Sequence, residues 1–483
     1  MKRNISRQDI KIQNTSRNCI TQNLDLIQDD KIKDACGVFG IFSNDNHNVA
    51  QLAYYALFAL QHRGQESTGI AVNDSGTIIY YKDIGLVPEV FNSTILDHLK
   101  GKAAIGHVLY STDTGNRENI QPIVLKYRSG QMALSYNGNL INTSELRQDM
   151  EEKGAIFQTN SDPELIASLI SKYRISSDSI EDAITKVMKD IKGAYSFTVL
   201  TQKKLIAVRD PFGMKPLCIG KLDNSYIVAS ESSAIDAVGG KLIRDVNPGE
   251  IVLIQENGLK SIQTEVTGKT KSCIFEFVYT ARQDSYIDGA SVYKARLEAG
   301  RLLAIEHPVD ADLVIGAPDS GLIAALGFSR QSGIPYGSGL IKNRYVGRTF
   351  IKPGQAEREM AVRIKFNTIK SEIEGKRIVM VDDSIVRGTT TKSIVHMLKD
   401  AGAKEVHIRI SSAPYRFPCH FGIDTPSAKQ LVASTNTLEE IKDMLGADSL
   451  KYLSLEGLLK TPIGCRCDFC CGCFTGEYPL KVK

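Results

Sequence analysis

Residues 377–391 read RIVMVDDSIVRGTTT, and this stretch decides how the second half of the chain folds. An apolar run of strand length ends in Asp382 and Asp383, and a loop of glycine and hydroxyl residues then opens a helical segment. Backbone N–H groups at a helix N-terminus suit a phosphate monoester, and adjacent carboxylates suit ribose hydroxyls or hydrated Mg²⁺. A Ser/Thr helix cap after two aspartates is the simpler alternative. Because no GxxxxGK[ST] or GxGxxG pattern occurs, the stretch predicts a phosphate site other than a Walker A loop or a dinucleotide fold.

The segments around this stretch alternate between strands and helices. DLVIGAP (312–318) and EVHIRIS (405–411) read as apolar strands, and TTKSIVHMLKDAGA (390–403) reads as a helix. Apolar strands that alternate with helices are typical of a parallel sheet covered on both faces. We therefore predict a doubly wound α/β domain after about residue 270.

The first half has a different pattern. GTIIYYKDIG (76–85), AYSFTVLT (194–201) and KLIAVRD (204–210) read as short strands between glycine-rich turns. Helical patterns occur at 50–63 and 162–173. This mixture predicts an antiparallel sheet system with covering helices.

Chain length and a polar stretch set the predicted domain boundaries. A chain of 483 residues is expected to form two or three domains. TGKTKS (267–272) is the best boundary candidate, since no low-complexity linker occurs. We predict a leader at 1–35, a first domain at 36–268 and a second domain at 269–483 with a cysteine-rich end.

Composition excludes several classes of protein. The chain has 42% apolar and 24% charged residues, as is typical of a globular enzyme. The net charge of +4 is small, and without a dense basic block we expect no nucleic-acid partner. We expect no membrane span, because no run of about 18 apolar residues occurs. The leader has no continuous apolar region, so we predict a cytoplasmic protein whose ten cysteines are catalytic, metal-binding or buried.

The stretch DACGVFGIF (34–42) places a thiol directly after the polar leader. A buried cysteine that opens a strand is one interpretation, because cysteine packs like a small hydrophobic residue. The other is that removal of the leader makes Cys36 the first residue of the mature chain. Its own α-amine, with a pKa of about 7.7–8, would then serve as the base that activates the thiol.

The stretch VMVDDSIVRGTT resembles the phosphoribosyl pyrophosphate (PRPP) signature of type I phosphoribosyltransferases. GAPDSG (316–321) resembles the pyrophosphate loop of that family, and the Lys/Arg-rich segment 342–366 resembles its mobile flap. A flap of this kind excludes water from an oxocarbenium-like centre. The resemblance implies Mg²⁺ bound by Ser320, Asp382 and Asp383. The residues that it implies for PRPP binding are Asp319, Ser320, Lys342, Asp382, Asp383, Ser384, Arg387, Gly388, Thr389 and Thr390.

Four stretches of the first half, taken in order, resemble the class II, N-terminal-nucleophile glutamine amidotransferases. They are QHRGQESTG (61–69), GHVLYST (106–112), YNGNL (136–140) and TNSD (159–162). Together the two halves resemble the glutamine PRPP amidotransferase family, in its iron–sulfur, propeptide-containing subgroup. The resemblance implies an αββα sandwich of antiparallel sheets, followed by a phosphoribosyltransferase domain with a mostly parallel sheet.

This resemblance implies a reaction and a role for several residues. Cys36 would attack the amide of glutamine and release ammonia, with Asn137 and Gly138 forming the oxyanion hole. Asp162 would bind the α-amine of glutamine, and Arg63 would lie in the loop that closes over it. Ammonia would pass internally to PRPP and displace pyrophosphate. The implied product is 5-phosphoribosylamine, the first committed intermediate of purine biosynthesis.

Three positions depart from the family pattern. Leu109 stands in GHVLYST where the family pattern GHxRYST has the arginine that pairs with the carboxylate of glutamine. An aliphatic side chain cannot replace a bidentate arginine–carboxylate pair. We therefore hold open an ammonia-dependent form in which glutamine is used poorly. Tyr136 and Lys215 replace the usual His and Arg.

The end of the chain is rich in cysteine. Cys470 and Cys473 form a C-x-x-C pair, which by itself more often indicates zinc. The iron–sulfur subgroup resemblance adds Cys273 and Cys419, giving the four thiolates of a structural [4Fe–4S] cluster. Cys465, Cys467 and Cys471 are additional, and they leave the choice of ligands open.

Other functions and properties remain open at this stage. A non-catalytic PRPP-binding regulator and an amidotransferase with a sugar-phosphate-aminating second half are alternatives, and the 377–391 stretch disfavours the latter. The resemblance also implies feedback inhibition by purine nucleotides and a homotetramer.

Overall fold

The structure is a computed structural model that describes residues 33–34, 36–110, 117–266, 268–343, 345, 364–425 and 427–482. Nearly all of the predicted leader and most of the predicted flap at 342–366 lie outside the described residues.

The first half contains two antiparallel sheets. In spatial order, the strands of the seven-stranded sheet are Lys241–Asp245, Cys218–Leu222, Ser225–Ala229, Gly37–Phe42, Ala103–Leu109, Ser67–Asp74 and Thr77–Ile84. The strands of the six-stranded sheet are Gly258–Gln263, Glu250–Gln255, Leu205–Arg209, Gly193–Thr201, Gly130–Leu140 and Ile123–Tyr127.

The two sheets pack face to face and are covered by helices on their outer faces. Ile105 of the seven-stranded sheet and Ala207 and Val252 of the six-stranded sheet share one buried cluster between the layers. The central strands, such as Gly193–Thr201, are buried along almost their whole length because both of their faces are covered. This arrangement is the predicted αββα sandwich.

The helices of the first half fall on both outer faces. Val49–Ala59 and Ser232–Ala237 cover the seven-stranded sheet, while Asp162–Arg174 and Ile180–Asp190 cover the six-stranded sheet. The remaining helices are Val87–Val90, Ser93–His98 and Thr143–Glu152. The helix predicted at 50–63 ends earlier, at Ala59, because the chain turns there and the side chain of Gln61 bonds the carbonyl oxygen of Gly64 at 2.6 Å.

The second half is built on a four-stranded, wholly parallel sheet. Its strands, in spatial order, are Leu313–Gly316, Arg377–Asp382, Glu405–Ile410 and Ser449–Tyr452. The helices are Val292–Glu306, Leu322–Ser332, Lys370–Ile373, Thr389–Asp400, Val432–Thr435, Leu438–Leu445, Leu455–Leu459 and Gly472–Thr475. Buried clusters on both faces of the sheet confirm the predicted doubly wound α/β class.

Four short two-stranded ladders complete the described structure, and three of them join parts of the chain that are distant in sequence. Among the described residues they pair Lys33–Asp34 with Ile423–Asp424, Ser272–Cys273 with Phe469–Cys470, Tyr286–Ile287 with Ala290–Ser291, and Leu340–Lys342 with Phe366–Thr368. A buried one-turn π-helix, Glu276–Thr280, follows Cys273 at the junction of the two halves. Within the described part of the chain, no helix is both long and apolar enough to cross a membrane.

Candidate active sites

Cys36 lies buried at the start of an inner strand. The strand that follows it, Gly37–Phe42, contacts the strand Gly130–Leu140 of the facing sheet. Burial raises the pKa of Tyr136 well above its ordinary value, and the nearby negative groups Asp162 and Cys36 raise it further. The structure thus brings the predicted nucleophile within electrostatic range of the segment that carries the other predicted glutamine-site residues.

Asn137 and Gly138 lie in the middle of this site. Neither side-chain polar atom of Asn137 has a hydrogen-bond partner within the described residues, although the residue is fully buried. An unsatisfied buried amide costs about 1–3 kcal/mol, so its donor is suited to a ligand atom. Gly138 has φ +153°, and a Cβ there would lie 2.0 Å from the carbonyl oxygen of Ala194. Only glycine therefore fits beside Asn137.

Asp162 begins the helix Asp162–Arg174 and is held by three donors. Its carboxylate accepts hydrogen bonds from the Tyr136 hydroxyl at 3.1 Å, the Leu140 N–H at 2.9 Å and the Thr143 hydroxyl at 2.6 Å. Burial raises the pKa of Asp162, while these hydrogen bonds oppose the shift. Tyr136, the departure from the family pattern, therefore orients the predicted glutamine-binding carboxylate.

His107 supports the strand that carries Asn137 from the facing sheet. Burial lowers the pKa of His107 to about 3, so its ring is neutral at physiological pH. Its Nε2 lies 2.9 Å from the carbonyl oxygen of Tyr136, and a neutral ring donates this hydrogen bond as the Nε2–H tautomer. The GHVLYST motif thus fixes the backbone that leads into Asn137.

Arg63 connects Cys36 to buried carboxylates. Its Nε donates to the carbonyl oxygen of Cys36 at 3.1 Å, and its Nη2 lies 2.7 Å from Oε1 of Glu276. It also pairs with Glu231. The predicted loop residue is therefore next to the predicted nucleophile, with its guanidinium held by two acidic side chains.

Glu231 and Glu276 are the site residues that the sequence analysis missed. Burial opposes ionisation of Glu231, but the charges of His62 and Arg63 outweigh it and hold the pKa of Glu231 well below its ordinary value. Glu231 also accepts from the Ser285 hydroxyl at 2.6 Å. An acidic residue inside the apolar run IFEFV (274–278) is the signal that could have revealed Glu276, whereas Glu231 lies between two serines and carries no such signal.

Leu109 is half-buried at the end of the strand Ala103–Leu109. The turn around Gly64 lies directly against it, since a Cβ on Gly64 would lie 2.6 Å from the carbonyl carbon of Leu109. The last two residues of the same motif, 111 and 112, lie outside the described part of the chain. Weakened use of glutamine stays a prediction.

The predicted phosphate site forms at one edge of the parallel sheet. Asp382 and Asp383 are buried where the strand Arg377–Asp382 ends. The strand Leu313–Gly316 runs parallel beside it, so the predicted pyrophosphate loop after Gly316 emerges at the same edge. Ser384 donates its hydroxyl to Asp383, and Asp383 donates its N–H to Asp382 Oδ1 at 2.8 Å.

A helix N-terminus completes this edge. Gly388, with φ +84°, takes the left-handed conformation that turns the loop into the helix Thr389–Asp400. The first N–H groups of that helix, at Thr389 and Thr390, are the donors that suit a phosphate. The helix predicted at 390–403 ends at Asp400, and Gly402 then turns the chain with φ +92°.

The remaining predicted PRPP residues border the same edge. The ammonium group of Lys342 lies 2.6 Å from Asp319 Oδ2, which brings two of them together. Arg387 donates to the side chain of Gln430 at 3.1 Å. Ser320 is half-buried directly after Asp319.

Cys273, Cys419, Cys470 and Cys473 lie in one region. Cys273 and Cys470 are directly paired in a parallel ladder. The N–H groups of Arg416 and Phe417 bond the carbonyl oxygen of Cys473 at 2.9 and 3.0 Å, and the Phe421 N–H bonds Cys419 Sγ at 3.3 Å. Burial raises the pKa of Cys273 and Cys473 well above the ordinary thiol value, and the neighbouring thiols raise it further. Four thiols in one region, one of them accepting a backbone N–H at sulfur, are a donor set that fits a metal cluster.

This cysteine region touches the predicted glutamine site. Asn139, two residues after Asn137, donates to the carbonyl oxygen of His420 at 3.0 Å. A Cβ on Gly422 would lie 2.9 Å from the carbonyl carbon of Gly138. Lys215, the third departure from the pattern, donates to the carbonyl oxygen of Gly422 at 3.3 Å.

Comparison with known proteins identifies the family. A protein-family model described as "Glutamine amidotransferase domain" matches residues 108–237. The amidophosphoribosyltransferase of Archaeoglobus fulgidus is 50% identical over 450 residues, 92% of this chain and 98% of that protein. The Bacillus subtilis enzyme of the same name is 47% identical over 458 residues, 93% of this chain and 95% of that protein.

The chain belongs to the amidophosphoribosyltransferase family.

Solved structures agree with this family assignment. The B. subtilis glutamine PRPP amidotransferase, complexed with ADP and GMP, matches with a TM-score of 0.87 and 46% identity, covering 93% of this chain and 98% of that one. A second structure, titled as the allosteric regulatory enzyme of purine biosynthesis, matches with a TM-score of 0.88 and 46% identity, covering 93% and 97% of the two chains. The protein is therefore an enzyme, a pentosyltransferase with an N-terminal glutamine amidotransferase half of the N-terminal-nucleophile fold.

The family assignment also bears on the two alternative functions, a non-catalytic regulator and an ammonia-dependent enzyme. The matched relatives are amidophosphoribosyltransferases over nearly their whole length, which supports the enzyme over a non-catalytic regulator. Nothing in these matches favours the ammonia-dependent form.

Proposed function

We propose that the protein converts glutamine, PRPP and water to 5-phosphoribosylamine, glutamate and pyrophosphate, the first committed step of purine biosynthesis. Residues 36–268 form the glutaminase domain and residues 269–483 the phosphoribosyltransferase domain. The observation that carries the proposal is the pairing of two sites in one chain. One holds a buried thiol near an unsatisfied buried amide, and the other holds two buried aspartates before a helix N-terminus.

In the glutaminase half, removal of residues 1–35 exposes the α-amine of Cys36. That amine accepts the thiol proton, the sulfur attacks the amide carbon of glutamine, and the proton passes to the departing ammonia. The side-chain N–H of Asn137 and the backbone N–H of Gly138 stabilise the oxyanion, and water then hydrolyses the thioester. Asp162 holds the α-amine of the substrate, and the loop that carries Arg63 closes over it.

In the second half, the residues at the sheet edge bind PRPP. The loop from Ser384 to Thr391, with Arg387 and Gly388, surrounds the 5′-phosphate, and Asp382 and Asp383 bind the ribose. Asp319, Ser320 and Lys342 bind the pyrophosphate. Ser320 and the two aspartates are oxygen ligands that fit Mg²⁺, which would neutralise charge on the leaving pyrophosphate. Ammonia from the first half displaces that pyrophosphate from the ribose.

Cys273, Cys419, Cys470 and Cys473 would hold a [4Fe–4S] cluster. When bound, the cluster supplies a structural link among four separate parts of the chain. The Ser272–Cys273 and Phe469–Cys470 ladder, together with the loop that touches Gly138, supports this role.

The family also guides our inference about the regulation and the oligomeric state of the enzyme. The B. subtilis relative was crystallised with ADP and GMP. We infer that purine nucleotides inhibit this enzyme and that it assembles as a homotetramer.

The test compares glutamine with ammonium as nitrogen donor, on protein whose N-terminus has been measured by mass. We expect a mature chain that begins at Cys36 and forms phosphoribosylamine from either donor. Cys36→Ser should lose the glutamine-dependent reaction and keep the ammonium-dependent one, whereas Asp382→Asn should lose both. Cys218→Ser, in a buried cysteine of the same sheet, is the matched control. Equal activity of Cys36→Ser with glutamine would contradict the proposal.

A further inference from the structure

Cys465 and Cys467 lie against each other outside the four-cysteine region. Their sulfur atoms are 2.7 Å apart, and Cys467 Sγ lies 3.8 Å from Oδ2 of Asp288. Both cysteines are partly exposed, in a loop without regular secondary structure. Neither residue is needed by the proposed glutaminase, PRPP or cluster sites.

From this geometry we propose that Cys465 and Cys467 form a redox-active dithiol that closes reversibly to a disulfide. The sulfur separation is about 0.7 Å longer than an S–S bond of about 2.05 Å. Two thiols at van der Waals contact would lie about 3.6 Å apart, so the pair is already most of the way to bonding distance. In a reducing compartment, such disulfides are transient and redox-sensing.

A metal site is the competing interpretation of the same three side chains. Two thiolates on a tetrahedral Zn²⁺, with Zn–S bonds of about 2.3 Å, would place their sulfurs about 3.8 Å apart. The observed 2.7 Å is too short for that. Asp288 is also occupied, because Arg209 pairs with both of its oxygens at 2.8 and 3.0 Å and the Ser272 hydroxyl donates at 2.9 Å. The geometry therefore favours a disulfide.

The chemistry of the pair distinguishes the two sulfurs. The hydrogen bond from Cys467 lowers the pKa of Cys465, so Cys465 is the thiolate that attacks. With a low-molecular-weight disulfide as oxidant, Cys465 forms a mixed disulfide and releases one thiol. Cys467 then loses its proton, attacks the Cys465 sulfur and releases the second thiol. Two protein thiols and one external disulfide thus become one protein disulfide and two external thiols.

The position of the pair gives oxidation a structural consequence. Asp288 of the second half pairs with the buried Arg209 of the first. The Cys467 thiol therefore contacts an ion pair that joins the two halves. The chain after Cys467 leads directly into the Phe469–Cys470 strand. Closing the disulfide would withdraw the Cys467 thiol from Asp288 and restrict the segment that leads into the four-cysteine region.

Proteolysis and mass measurement test the proposal on the full chain. The anaerobic enzyme is equilibrated in buffers of defined thiol-to-disulfide ratio, alkylated, and then digested with trypsin, which cleaves after Arg466, and Asp-N, which cleaves before Asp468. The closed pair releases TPIGCR (461–466) with a single cysteinyl residue, Cys467, attached through sulfur. We expect the oxidised-to-reduced ratio of this product to change tenfold for about 30 mV, as for a two-electron couple.

Cysteine variants and added zinc distinguish a Cys465–Cys467 disulfide from other disulfides and from a metal site. Cys467→Ser should abolish the linked product, while Cys471→Ser, in the same tail, should leave its yield within about twofold. Three results would overturn the proposal. They are alkylation of both cysteines at every ratio, linkage of Cys465 to Cys470, Cys471 or Cys473, and chelator-reversible protection of both thiols by added zinc without any disulfide.

Discussion

Arg63 and Glu276 form a buried ion pair between the two halves of the protein, with Nη2 and Oε1 2.7 Å apart and side chains 0% and 2% exposed. The same guanidinium bonds the carbonyl oxygen of Cys36, and Glu276 begins the π-helix that follows Cys273. The loop proposed to close over glutamine is therefore anchored to the second half through Arg63. A change in one half can reach the other through this pair.

Glu276→Gln should uncouple the halves. Removing one charge of a buried pair costs about 3 kcal/mol, reduced here because Glu231 still pairs with Arg63. We expect glutamine-dependent kcat/KM to fall at least about tenfold and ammonium-dependent activity to persist, measured with each donor. Glu456→Gln is the control, because the Glu456 carboxylate pairs with Lys460 but is 81% exposed. Equal loss of both activities would indicate a general folding defect instead.

Asn137→Ala should separate catalysis from stability. The buried Asn137 side chain has no hydrogen bond within the described residues, so its removal should not lower the melting temperature. Loss of one oxyanion donor should lower the glutaminase kcat by about 10²–10³. Asn73→Ala removes hydrogen bonds to the carbonyl oxygens of Thr201 and Gln202. It should lower the melting temperature and leave the glutaminase kcat unchanged. Comparable glutaminase rates in the two variants would exclude this role for Asn137.

Leu109→Arg tests how glutamine is held. If the aliphatic side chain weakens binding of the glutamine carboxylate, a new guanidinium should lower the KM for glutamine by about tenfold and leave the ammonium reaction unchanged. Initial rates over a glutamine series measure this. Ile84→Arg, an exposed position on the same sheet, is the control. A normal KM in the unmodified enzyme would show that Leu109 does not impair glutamine use.

Asp245→Asn should stabilise the protein at neutral pH. Burial, with help from the nearby charge of Asp288, raises the pKa of Asp245 to about 6. The pKa of this carboxyl is about 3.9 in the unfolded chain. Ionisation of Asp245 therefore lowers the free energy of unfolding by about 3 kcal/mol above pH 6 and leaves it unchanged below about pH 4. The melting temperature of the variant should therefore exceed that of the unmodified enzyme at pH 7.5, with the gain vanishing near pH 4. Asp178→Asn, at an exposed position, should show no such pH dependence.

Local patterns in the sequence were sufficient for the fold class. Apolar runs such as 377–382 and 405–410 bury both faces, as is typical of a covered parallel sheet, and the structure has them as adjacent parallel strands. Short motifs also located Cys36, Asn137 and Asp382, because each depends on neighbours within a few residues. The roles assigned to these residues stay proposals.

Tertiary structure decided which distant side chains share a site. Glu231 and Glu276 gain their importance from Arg63, which lies 168 and 213 residues away in sequence, and no local pattern encodes that separation. The contact of Cys465 and Cys467 with Asp288 is likewise invisible in the sequence. The sequence by itself determined the strands, the helices and the local chemistry, since these depend on periodicity and adjacent residues. Long-range burial and charge pairing exist only once the chain has folded, and they alone decided how the two halves meet.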